Sequence, residues 1–355
     1  MTTAAVSKKI SHIAVMRLSA MGDVAMTVPV LRAFVRQYPE VKITMISRPF
    51  FEPLFAEIPN VSFFPFDEKG RHKGFLGLLR LFQDLQSLGI DAFADLHNVL
   101  RSKIIRTLWR WNGKKTATLD KGRAEKKTLT RVKNKIFRPL TPMVKRQAEV
   151  FAALGFAVDL SQPHFAIPQN LAVAMTHLTG EKTKIWIGIA PFAQYNSKTY
   201  PLDLMEKVID VLALDDNYKI FLFGGGKREI KVLDMLAEEH KNTFNVAGKF
   251  KFKEELQLIG HLDIMLSMDS GNGHLAALFG VKVITLWGAT HPFAGFMPFD
   301  QPIENALVSD RVKFPKLPTS VYGNKKIAGY ENAMRTILPE MVVEKIKSVL
   351  QSGEN

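Results

Sequence analysis

Short runs of apolar and β-branched residues alternate along this chain with longer stretches in which apolar positions recur every three to four residues. In the first half the runs HIAVMRLS, VKITMIS, VSFFPF and DAFADLH are followed by helical patterns over 23–37, 49–58, 74–88 and 100–111. Apolar runs of this length suit buried strands, and intervening helices of about ten residues or more suit crossovers between parallel strands. The first half is therefore predicted to be α/β.

A helical pattern ends near 154, and the segment SQPHFAIPQN then carries two prolines and no periodicity, which reads as a linker. The alternation restarts with KIWIGIAPF leading into 201–214, YKIFLFGGG into 229–240, FNVAG into 253–260 and DIMLSM into 273–279, and VKVITLWGA closes the series. Two Rossmann-like domains are expected at 1–160 and 171–330, with a linker at 161–170 and a helical segment at 331–355 that Pro339 interrupts. Because open parallel sheets bind ligands outside the carboxyl ends of their strands, the site is expected in a cleft between these domains.

Composition narrows the classes further. A hydrophobic fraction of 46% with 23% charged residues fits a globular protein and argues against general disorder. No cysteine is present, which removes disulfides, metal–thiolate sites and a cysteine nucleophile. Only seven residues precede Lys8 and Lys9, and Arg17 breaks the next apolar run, so no secretory signal is expected. With no run approaching the ~18 apolar residues of a spanning helix, a cytoplasmic protein is expected.

The net charge of +14 is concentrated in 101–146, which holds 16 basic and 2 acidic residues; the other 309 residues hold 32 of each sign. Such a stretch is either a solvated face or a docking surface for a polyanion. Nucleic acid, an anionic membrane surface and an acidic glycolipid all match its charge, although the aromatics that single-stranded nucleic acid would stack on are few.

Five loops carry candidate chemistry. RLSAMGD leaves the first strand and opens a helix; its single glycine is not a dinucleotide fingerprint, and Asp23 is either a helix cap or a base for a hydroxyl proton. In PFAQYNSKTYP, Ser197, Lys198 and Thr199 stand before a helix that Pro201 starts, where they either cap and solvate or meet a phosphate. MDSGNGHLAALFG places Asp269, Ser270, Gly271, Asn272, Gly273 and His274 at a strand-to-helix turn where backbone amides suit a diphosphate, or else is a plain glycine-rich turn with His274 a structural histidine. GGGKRE offers Glu229 to ribose hydroxyls, or else is a tight turn with a surface glutamate; WGATHPFAGF ends a strand with Thr290 and His291. No spacing typical of a metal-ligand set recurs, so no metal and no cofactor are expected.

Taken together, RLSAMGDVAMTVPVLRAF, DLHNVLRS, SKTYP, MDSGNGHLAALFG, LWGATHP and AMRTILPEMVVEKI, in this order over nearly the whole chain, resemble the heptosyltransferases of bacterial lipopolysaccharide synthesis, glycosyltransferase family 9. The resemblance implies a GT-B fold, with an amino-terminal acceptor domain and a carboxyl-terminal nucleotide-sugar domain, and metal-independent transfer with inversion. It implies Asp23 as catalytic base and Lys198 as the catalytic contact to the donor's phosphates. Donor contacts pass to Ser197, Thr199, Glu229, Asp269, Ser270, Gly271, Asn272, Gly273 and His274, and acceptor contacts to Ser19, Gly22, His97 and Arg101. The implied donor is a nucleoside-diphosphate heptose, with ADP expected, and the implied acceptor an acidic inner-core glycolipid at the cytoplasmic face of the inner membrane, docked by the basic stretch. A relative moving a hexose or N-acetylhexosamine is the alternative within the family; a non-enzymatic basic nucleic-acid binder is the alternative from another class.

Overall fold

The computed structural model describes residues 9–325 and 327–352. They form two compact units: one holds the residues up to Lys121 together with Met143–His164, the other Gly122–Pro142 together with the residues from Phe165 onward.

In the first unit β1 (His12–Met16) leads into α1 (Met21–Ala25) and α2 (Thr27–Gln37), followed by β2 (Lys42–Ser47), β3 (Val61–Pro65), α3 (Gly74–Gln86), β4 (Ala92–Asp95), α4 (Leu100–Trp111) and β5 (Lys115–Thr118). All pairings are parallel, in the order β3-β2-β1-β4-β5. Helices cover both faces, which is why Ile13, Ala14, Val15 and Met16 are all buried and the strand reads as a continuous apolar run. Met16, Ile46, Leu81, Leu85, Phe93 and Trp109 form one core. The expected helix over 23–37 is two helices meeting at Met26, and 49–58 is a short 3-10 segment, Pro49–Leu54.

The excursion Gly122–Pro142 begins with α5 (Arg123–Thr130), after which α6 (Met143–Leu154) completes the first unit. The excursion belongs to the second unit, whereas the sequence reading placed it inside 1–160. The reason is packing: Leu129 and Leu140 cluster with Ala294, the Leu140 amide donates to the Phe293 carbonyl at 2.9 Å, and the buried Lys126 holds its ammonium 4.3 Å from the Phe296 ring centre. Lys135 Nζ donates to the carbonyls of Leu129, Lys316 and Pro318 at 3.1, 2.8 and 2.6 Å. Burial, reinforced by the charge of Arg311, pulls its ammonium down to about 8. Several charges of the basic stretch are thus internal fasteners.

The second unit continues with α7 (Val173–Thr179), β6 (Ile185–Ala190), α8 (Leu202–Ala213), β7 (Tyr218–Leu222), α9 (Lys227–Glu238), β8 (Thr243–Asn245), α10 (Phe252–Gly260), β9 (Ile264–Met268), α11 (Gly271–Ala277), β10 (Lys282–Trp287), β11 (Ala306–Val308) and α12 (Pro339–Gln351). Its sheet is again parallel, in the order β11-β10-β9-β6-β7-β8. The final helix packs on α8 and on the core of this unit through Val342, Val343 and Ile346. Pro339 stands at its first turn, a position that needs no amide donor. Strands β5 and β11 escape the sequence reading because they are short edge strands with few buried side chains.

Candidate active site

Each sheet has one place where the strand order reverses: between β1 and β4 in the first unit, and between β6 and β9 in the second. Connections leave in opposite directions there and open a crevice at the carboxyl ends, the usual ligand position in such sheets.

At the first reversal Met16 pairs with Asp95, so the chain after β1 and the chain after β4 emerge side by side. Arg17 Nη1 donates to the Leu96 carbonyl at 2.6 Å, and Nη2 forms an ion pair with Asp23 Oδ2. Asp23 lies in the first turn of α1, where its carboxylate also faces the Ala20 amide at 3.4 Å. The Ala20 contact is the one the cap reading describes, and the Arg17 guanidinium is the closer partner of the Asp23 carboxylate. His97 accepts at Nδ1 from the Leu18 amide at 3.1 Å, which leaves the proton of the neutral ring on Nε2. Burial, then the charges of Arg17 and Lys121, pull the His97 imidazole down to about 3, with Asp23 opposing.

Asp95 organises the second side of this crevice from a fully buried position. Its carboxylate accepts from the amides of His97 and Asn98 at 3.0 and 2.7 Å and pairs with Arg106 at 2.9 Å. Ser19 and Gly22 share the Asp23 loop and are partly exposed. Arg101 stands in the first turn of α4, where its guanidinium is held by Glu68 at 2.7 Å. The sequence reading passed over Arg17 and Asp95; a lone charge closing an apolar strand is the signal that marks both.

At the second reversal Lys198, after β6, forms an ion pair with Asp269, after β9, at 2.9 Å, with both side chains largely buried. The loop around Lys198 is tightly clamped. Ser197 Oγ donates to the Gly323 carbonyl at 2.5 Å, and the Ala289 amide donates to the Ser197 carbonyl at 2.9 Å. A Cβ on Gly288 would lie 2.3 Å from the Ser197 carbonyl oxygen, and one on Gly323, whose φ is +81°, would lie 2.4 Å from the Lys198 stem. Both glycines are therefore needed for close approach. Thr199 Oγ1 donates to the Tyr195 carbonyl at 3.2 Å, and neither it nor Ser197 caps α8. A cavity of about 290 Å³ borders this loop, with Ser197, Thr199, Lys325, Tyr330 and Glu331 in its wall.

Ser270 precedes α11, with its hydroxyl 3.1 Å from that of Ser267, which in turn accepts from the Gly273 amide at 3.1 Å. Gly271 and Asn272 open the helix, and His274 is buried one turn in. Glu229 turns back on its own loop, accepting from the Gly225 amide at 2.8 Å, so the tight-turn reading describes its contact. His291 is enclosed by Phe137 and Phe293, accepts at Nδ1 from the Phe293 amide at 3.1 Å, and is lowered by burial to about 4. Among the described residues, Asp210, Glu239 and His240 bring possible metal-ligating atoms within 4.8 Å of one another, near the ends of α8 and α9 and away from the strand carboxyl ends.

Comparison with known proteins adds a family. The model of glycosyltransferase family 9 (heptosyltransferase) matches residues 78–349. The chain is 25% identical over 340 residues to the lipopolysaccharide core heptosyltransferase OpsX of Haemophilus influenzae, covering 94% of this chain and 96% of that protein. It is also 25% identical over 313 residues to lipopolysaccharide heptosyltransferase 3 of Escherichia coli, covering 84% and 87%. Among solved structures, the family 9 glycosyl transferase of Veillonella parvula superposes with a TM-score of 0.74 at 21% identity, covering 98% of this chain and all of that one. The E. coli heptosyltransferase WaaC with ADP superposes with a TM-score of 0.68 at 19% identity, covering 95% and 99%. The fold is thus GT-B-like, built of two Rossmann-like units. With the family match running from within α3 into α12, the chain belongs to glycosyltransferase family 9, the heptosyltransferases.

Proposed function

We propose that this glycosyltransferase moves a heptose from ADP-heptose to an inner-core lipopolysaccharide or lipooligosaccharide acceptor, with inversion at the anomeric carbon and without a metal. The observation that carries the reading is the ion pair at each sheet reversal, Arg17–Asp23 in one unit and Lys198–Asp269 in the other. The relatives support the substrate class: they are named as lipopolysaccharide and lipooligosaccharide heptosyltransferases, and WaaC has been solved with ADP and with ADP-2-deoxy-2-fluoro heptose.

In this mechanism the Asp23 carboxylate takes the proton of the acceptor hydroxyl, a task that contributes about 10²–10⁴ in rate. The hydroxyl oxygen forms the new bond to the anomeric carbon from the face opposite the leaving group. The bond from that carbon to the diphosphate oxygen breaks, and its electron pair leaves with ADP. Lys198 and the backbone amides opening α11 meet the charge that grows on the departing diphosphate, the role a metal plays in other transferases. Ser197, Thr199, Ser270, Asn272, Gly273 and His274 line the donor side; Glu229 keeps one carboxylate oxygen on its loop and offers the other to ribose. Ser19, Gly22, His97 and Arg101 belong to the acceptor side. Asp269 fixes the Lys198 ammonium and Arg17 fixes the Asp23 carboxylate, so both are positioning residues.

No helix among the described residues is long and apolar enough to cross a membrane. The proposed protein works as a peripheral enzyme at the cytoplasmic face of the inner membrane, where its acceptor is anchored. The reading is tested by supplying ADP-heptose with a deacylated inner-core acceptor and following ADP release and the anomeric configuration of the product. ADP release that requires both substrates and persists in chelator is the expected result. Transfer from a different nucleotide sugar, or retention of configuration, overturns it.

A further inference from the structure

The crossovers from β3 to β4 and from β4 to β5 step in the same direction across the first sheet, so the right-handed rule puts α3 and α4 side by side on one face, both starting at its carboxyl edge. Their first turns carry bulky apolar side chains turned outward: Phe75 is 63% exposed, Leu76 65% and Leu100 74%. Phe50, just after β2, is 52% exposed. The loops that hold these side chains are tied together by one carboxylate, since Glu68 binds Arg48 at 2.9 Å and Arg101 at 2.7 Å. Around them stand the exposed Lys69, Lys73 and Lys103.

An exposed first turn is ordinarily polar, and single exposed leucines need no explanation, but four large apolar groups gathered at one edge among cations do. Rings and branched chains that enter the headgroup layer, with ammonium and guanidinium groups at phosphate level, are the chemistry of an anionic lipid surface. We infer that this edge, centred on Phe75, Leu76 and Leu100, docks the first unit on an anionic bilayer. The inference rests on the proposed lipid-anchored acceptor and deepens it, because Asp23 and His97 open at the carboxyl ends of the same sheet. It also moves the docking role away from Gly122–Pro142, whose Lys126 and Lys135 are spent inside the second unit.

The test is co-sedimentation of the full chain with vesicles of phosphatidylethanolamine and phosphatidylglycerol, against phosphatidylcholine alone. Binding to the anionic vesicles that falls about tenfold or more in Phe75→Ser/Leu76→Ser, and several-fold in Lys69→Glu/Lys73→Glu, with unchanged melting temperature, is expected. Unaltered binding by Phe75→Ser/Leu76→Ser, or no binding by the parent chain, overturns the inference. So does a dimer in light scattering that the same substitutions convert to monomer, since a second copy then covers the patch. Transfer to the deacylated acceptor should be unchanged in these variants. Absence of that transfer in the parent chain would count against the proposed function while leaving the vesicle result standing.

Discussion

The two sheet reversals hold the same kind of ion pair with the accessibility reversed. In the first unit the cation is the inner partner: the Arg17 side chain is 7% exposed against 23% for Asp23. In the second the carboxylate is the inner partner: Asp269 is 8% exposed against 13% for Lys198. The inner member of each pair is anchored by its surroundings, Arg17 by the Leu96 carbonyl and Asp269 by its place directly after buried β9. The outer member, Asp23 in one pair and Lys198 in the other, keeps the larger share of its side chain exposed. In the proposed mechanism these two crevices of like topology serve as proton acceptor and anion seat, each through the more exposed partner of its pair.

The sharpest way to break this comparison is Asp23→Asn. It should lower turnover by about 10²–10⁴ while leaving ADP affinity nearly unchanged, because the substitution touches only the proton-accepting crevice. Steady-state rates together with titration calorimetry separate the two effects, and a weakened ADP affinity would remove the division of labour. Next in size, Lys198→Ala should lower kcat/KM by about 10² and weaken ADP binding as well, since it removes charge from the anion seat in both ground and transition states.

Lys198→Ala also strands the inner Asp269 carboxylate, a loss of about 3–5 kcal/mol for a buried pair. Adding Asp269→Asn should restore most of the melting temperature and none of the ADP affinity. Recovery of both would make the pair a purely structural fastener. The smallest effect concerns His97, whose folded-state value near 3 lies below the usual histidine value of 6.5. Unfolding lets this buried neutral ring take up a proton, so its contribution to stability is intact above about pH 6.5 and declines as pH falls toward 3, by on the order of 3 kcal/mol at pH 4. Denaturant melts of His97→Gln should show a shallower acid decline; an unchanged slope would detach this histidine from acid sensitivity.

Much of the site was legible as loops rather than as contacts. The SKTYP and MDSGNGH segments announce themselves by turn residues placed directly after buried strands, and Asp23 by its place at a helix start. Glu229 was open between ribose contact and tight turn, and only coordinates show its carboxylate on the Gly225 amide. Arg17 looked like an interruption of an apolar run and is instead the partner of Asp23. The basic stretch illustrates the opposite problem: its charge is plain in the sequence, yet Arg106, Lys126, Lys135 and Arg146 are occupied in internal contacts.

The amino-acid sequence by itself determined the local period of each segment, hence two successive α/β arrays with parallel strands, because backbone geometry ties a run of apolar residues to a strand and a three-to-four spacing to a helix. It also determined which functional groups end each strand. Only the tertiary structure decided that β1 lies beside β4 and β6 beside β9, that Lys198 therefore meets Asp269, and that Gly122–Pro142 packs with the second unit. Periodicity is set by neighbours a few residues apart, whereas strand order and ion pairing are settled by the packing of segments far apart in the chain, where burial of the whole core selects among many locally equivalent arrangements.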